Sequence, residues 1–75
     1  MQTIYLKKFG NVLVGRPNGQ EAFNAIRPQL NQDLTVEINF DDVLTVNPSW
    51  LDEFITRLAD FNHGKVELLP TDNAS

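Results

Sequence analysis

His63 is the only histidine of the chain and cysteine is absent, so thiol chemistry is excluded and acid–base work has a single ordinary candidate. That histidine stands in Asn62-His63-Gly64, which reads as a helix stop, where a cationic side chain pairs with the negative helix end rather than with a substrate. Asp41 and Asp42 end a strand where α/β folds often bind ligands. Adjacent strand residues point apart, however, so the pair offers at most a weak divalent-cation contact and no metal site is assigned. Gly15-Arg16-Pro17-Asn18-Gly19 is compatible with an anion cradle at a helix start, but it lacks the lysine of a phosphate loop and is read as a turn. Nothing here converges, so the sequence predicts no enzyme and no cofactor.

The second helix start is richer. Asn47-Pro48-Ser49 supplies a cap and a proline at the first helical position. Ser49, three residues before Asp52, has two readings. It can share the capping of the first turn with Asn47, which is the simpler role, or it can carry a phosphate held by the open amides of the helix start. Trp50 follows. A small domain needs its large aromatics inside, which favours burial, yet the main apolar stripe begins at Leu51 and leaves Trp50 able to project as an interface anchor.

Six basic and ten acidic residues give a net charge of −4. The basic residues are dispersed, and phosphate backbones need them clustered, so nucleic acid is excluded as a partner. Asp41, Asp42, Asp52 and Glu53 form a loose acidic group that reads first as a solvated edge. No stretch approaches the ~20 apolar residues of a membrane span and no leader pattern opens the chain, which predicts a cytoplasmic protein that does not bind membrane. A chain this short buries only ~60% of its unfolded surface in a thin core, so one domain over 1–75 is expected, with oligomerisation a natural support.

Periodicity places the elements. Residues 4–7 and 11–14 are short β-rich runs around Gly10 and predict an antiparallel hairpin with Ile4, Leu6, Val12 and Val14 turned inward. Ala22, Phe23, Ile26 and Leu30 share one face of a first helix capped by Asn18, with Pro28 loosening its last turn. Residues 34–40 alternate cleanly, with Leu34, Val36, Ile38 and Phe40 on one face and Thr35, Glu37 and Asn39 on a wet one, as in a central strand covered by helices on one side only. The second helix carries Leu51, Phe54, Ile55 and Leu58 and stops at Asn62-His63-Gly64. Residues 65–69 form a last strand, and a polar, weakly held tail runs from about 70. The expected fold is α/β in the order β-β-α-β-α-β, a mixed four-stranded sheet with both helices packed on one face.

The run Val36-Glu37-Ile38-Asn39-Phe40-Asp41-Asp42-Val43 followed by Val46-Asn47-Pro48-Ser49-Trp50-Leu51-Asp52-Glu53-Phe54 resembles the STAS-like family of unknown function, relatives of the bacterial anti-anti-sigma STAS domains. The likeness extends back to Gly15-Arg16 and on to Leu68-Leu69-Pro70-Thr71-Asp72-Asn73. In those domains an Asp-Ser-Ser-Gly type motif before the second helix carries a phosphorylatable serine. Here Asn47, Pro48, Ser49 and Trp50 fall at its four places and Ser49 alone matches. The resemblance implies a regulatory or scaffolding domain that docks through the start of the second helix and the preceding loop. The contact surface expected is therefore Asp42, Asn47, Ser49, Trp50, Asp52 and Glu53 with the 41–46 loop, and the partner another protein or a second copy of this chain. Two other classes stand beside it: an acidic inhibitor that occupies a basic nucleic-acid-binding site on another protein, and a phosphate or nucleotide site near residues 15–19.

Overall fold

The computed structural model describes residues 2–69; the polar tail expected from about 70 lies outside them. The chain begins with β1 (Gln2–Tyr5), curls through a 3₁₀ turn at Leu6–Phe9 and enters β2 (Val12–Leu13). Helix α1 (Arg16–Ile26) leads to β3 (Val36–Asn39), a short β4 (Thr45–Val46), helix α2 (Pro48–Phe61) and β5 (Val66–Leu68). This is a small α/β fold with two helices. Its strands form two separate ladders, β1-β3-β5 and β2-β4, in both of which all pairings are parallel.

The expected hairpin and mixed four-stranded sheet are thus corrected. Residues 6–9 do not turn the chain back on itself, because Leu6 is wholly buried and Phe9 packs on the core, so both are pulled under the sheet in a 3₁₀ curl. With its neighbour diverted, β1 pairs with β3 instead, Ile4 beside Ile38 and Gln2 beside Val36. In β2 the inward residue is Leu13, while Val12 and Val14 are exposed; the expected register was one residue out, which exchanges the two faces of a strand. β4 was not expected at all, since two residues show no period.

The three-stranded sheet has one dry face. Ile4, Val36 and Ile38 are buried among Phe23 and Ile26 of α1 and Phe54 and Leu58 of α2, while Thr3, Tyr5 and Glu67 face outward. Leu34 precedes the strand and is exposed, and Phe40 is partly buried.

Each helix ends where its residues dictate. α1 starts behind Gly15, whose φ of +87° suits glycine, and not at Asn18, whose Nδ2 donates to the Val14 carbonyl at 2.8 Å. As Pro28 implies, the α-helix gives out at Ile26 and continues as a 3₁₀ turn over Arg27–Gln29. α2 is capped by Asn47, whose Oδ1 accepts from the Ser49 amide at 2.8 Å, with Pro48 at the first position. It stops through His63 and Gly64, both at positive φ, with the Gly64 amide donating back to the Ala59 carbonyl at 2.8 Å. Asn62, fully buried, donates from Nδ2 to the Lys65 carbonyl at 2.7 Å and so ties this stop to the start of β5.

The helices meet at Gly19. A Cβ there would lie 2.6 Å from the Trp50 carbonyl oxygen and 3.2 Å from Glu53 Cβ, so only glycine allows this approach. Below the crossing, Trp50 stacks on Phe54 with centroids 5.0 Å apart and planes 13° from parallel, Phe9 tilts against both, and Phe23 meets Phe54 edge-on at 6.4 Å. Such pairs contribute roughly 0.5–1.5 kcal/mol each beyond the area they bury.

Candidate functional site

The segment between β3 and α2 is shaped by three local devices. Asn39 Oδ1 accepts from the Asp41 amide at 2.8 Å, closing an Asx turn at the strand end. Asp42 adopts φ +66°, a left-handed conformation that aspartate tolerates better than most residues. Val43 is then driven into the core and its amide donates to the Phe40 carbonyl at 3.3 Å. With Val43 pinned inward, Leu44 is thrown outward and is 73% exposed. The chain is caught again by β2: the Leu44 and Thr45 amides both donate to the Asn11 carbonyl, at 2.9 and 3.1 Å, and the Asn47 amide donates to the Leu13 carbonyl at 2.7 Å.

On β2, Val12 is 59% and Val14 42% exposed. Between this strand and α1 runs a groove of about 350 Å³ with Phe9 and Trp50 in its floor, Val12 and Val14 on one wall and Asn18 and Glu21 on the other. Two of the largest outward apolar side chains of the described residues, Leu44 and Val12, therefore belong to the 41–46 turn and the strand that holds it.

The sequence-derived contact residues divide. Trp50 is 1% exposed and serves as the centre of the aromatic stack, so its part as a projecting anchor is corrected. The cause is that Trp50, Phe54 and Leu58 form the innermost stripe of α2, with Leu51 and Ile55 half-buried at its side. Asn47 is engaged as the cap, and Ser49 supplies the capped amide rather than a second cap. Asp52 and Glu53 are held by Arg16, whose guanidinium lies 2.8 Å from Asp52 and 3.6 Å from Glu53, and Arg57 also binds Glu53 one helical turn on. The hydrogen bond from Asp52, then its charge, raises the Arg16 pKa above its ordinary value. Asp42 pairs with Lys7 at 3.4 Å, both ends exposed. Exposed pairs of this kind contribute little to stability, about 0–1 kcal/mol, but they cancel charge locally.

Asp41 and Asp42 thus do not converge on a cation, and among the described residues no group of three or more His, Cys, Asp or Glu is placed to hold one. His63 lies at the far end of α2 from the 41–46 turn. Among the described residues no helix is long and apolar enough to cross a membrane. Comparison with family models, with curated proteins and with solved structures gives no match.

Sequence reasoning missed Val12, Val14 and Leu44. Leu44 carried a usable signal, a large aliphatic residue between an acidic turn and a threonine in a segment with no helical or strand period. Val12 and Val14 carried none, because alternation alone does not say which of two faces is the wet one.

Proposed function

We propose that this chain is a non-catalytic protein-interaction domain that docks through the 41–46 turn and the neighbouring β2 strand, with Leu44 and Val12 as the main apolar contacts. The carrying observation is that Leu44, at 73% exposure, and Val12, at 59%, stay outside a core too small to spare large aliphatic side chains. The groove above Phe9 and Trp50 adds a recess beside them for a partner side chain, a usual arrangement at the centre of an interface. Trp50 acts here from beneath, as the floor that keeps the recess open. The reading places the domain in the cytoplasm, binding protein and neither nucleic acid nor membrane, which its net charge of −4 supports.

A STAS-like relationship belongs to the same proposal. Its support is the order of strand, acidic turn and asparagine-capped helix across β3, residues 41–46 and α2. The acidic-inhibitor reading draws less support, because Asp42, Asp52 and Glu53 are each paired within the chain and do not present a continuous array of open carboxylates.

The test is a binding measurement with a partner recovered by affinity capture and then purified. Leu44→Asp and Val12→Asp are expected to weaken the reconstituted complex at least about tenfold each while the circular dichroism spectrum stays that of the parent. A complex indifferent to both changes excludes this face.

A further inference from the structure

β5 lies at the edge of the three-stranded sheet, and among the described residues no strand pairs with its outer side. In the ladder with β3, the Val36 amide donates to the Lys65 carbonyl and the Leu69 amide donates to the Ile38 carbonyl. Because strand groups alternate in direction, the Leu68 amide and carbonyl point away from β3, toward the open edge. Exposed edges with unpaired groups are templates for a further strand.

The side chains on this edge are self-complementary. On the outer face Glu67 stands beside Glu37 in the ladder register, two carboxylates that repel, and among the described residues only the Thr3 hydroxyl reaches Glu37, at 3.2 Å. Lys65 of the same chain does not relieve Glu67; its ammonium is hydrogen-bonded to the Asp33 carbonyl at 3.2 Å. On the inner face Leu68 is 54% exposed and, with Leu51, Ile55 and Pro48 of α2, lines an apolar groove of about 400 Å³.

We propose that two copies of this chain pair antiparallel through β5 about a two-fold axis beside Val66, so that Lys65 of each copy faces Glu67 of the other. Antiparallel residues that lie opposite one another share a face, so a dyad at Val66 sets position 65 against 67 and position 64 against 68. Both matches are favourable. The lysine of the second copy lies opposite Glu67, and Leu68 lies over Gly64 of the second copy, where nothing occupies the space within 4 Å of a would-be Cβ. Moving the dyad one residue on, to Glu67, would set the two Glu67 side chains against each other, so charge selects the register. The pairing joins the two sheets into one of six strands and brings the Leu51 and Ile55 flanks of the two α2 helices to the same seam. It uses a surface separate from the β2–β4 rim and does not depend on the role proposed for that rim.

Sedimentation equilibrium on the purified chain, up to about 1 mM, tests this, since a short-strand interface falls at the weak end of the affinity range. The wild type is expected to approach twice the 8.5 kDa chain mass. Glu67→Lys and Lys65→Glu, each an exposed change checked by circular dichroism, should weaken the dimer at least about tenfold by setting like charges opposite. An equimolar mixture of the two variants should recover it, because each then supplies the charge the other lacks. A wild type that stays monomeric at every concentration overturns the proposal, as does a dimer unmoved by either single change or a mixture that fails to re-form.

Discussion

The two ladders of this fold use similar residues and treat them differently. In β1-β3-β5, four-residue strands present Ile4, Val36 and Ile38 to the helices, and all three are sealed from water. In β2-β4, two-residue strands turn only Leu13 and the half-buried Val46 inward, so Val12 and Val14 remain outside and Leu44 stands clear of the turn. Strand length decides the difference: a strand must run through several alternations before its apolar residues can reach a common layer. A long ladder builds the core, and a short one, hung on the same helices, leaves apolar side chains available for contact.

Substitutions on the two sides should therefore separate cleanly. The largest loss is expected from Trp50→Ala on the sealed side. Emptying the centre of the aromatic stack costs roughly 3–5 kcal/mol, comparable to the whole stability of a domain this size, so urea melts should show no cooperative transition. Gly19→Ala comes next. Its methyl would meet the Trp50 carbonyl oxygen, a backbone atom that cannot swing aside, and α1 must lift from α2 at about 1–3 kcal/mol, read as a lower denaturation midpoint. Asn47→Ala removes the cap of α2 and should cost about 1 kcal/mol by the same measurement. Leu44→Asp, on the open side, should leave the midpoint within about 0.5 kcal/mol of the parent while weakening partner binding. If Leu44→Asp destabilised as much as Gly19→Ala, the distinction between a sealed ladder and an open one would collapse.

What was legible in the sequence follows the range of the interactions involved. The start of α2 was readable because Asn47 and Pro48 act on amides within two or three residues, and its stop because Asn62-His63-Gly64 is a local left-handed turn. The early end of α1 followed from Pro28, and β3 and β5 from their alternation and flanking turns. The partner of β1 was not readable, since it lies beyond α1, and a glycine near two β-rich runs argues for a hairpin unless one knows that Leu6 and Phe9 are claimed by the core. The depth of Trp50 had a signal that was outweighed: Trp50, Phe54 and Leu58 recur every fourth residue, and Gly19 marks a helix built for close approach. Of the candidate contact surface, the 41–46 loop was legible as a location. The side chains that carry it were not, because exposure is set by which long-range ladder forms and how short it is.

The most direct test of the interaction surface places a photo-crosslinking amino acid at Leu44 and, separately, at Gln20, an exposed position on α1, in the intact chain within its own cells. The account predicts a discrete adduct with one protein from position 44 that is absent from position 20 and is competed away by the unlabelled wild-type chain. Identical adducts from the two positions, or none from position 44, would contradict it.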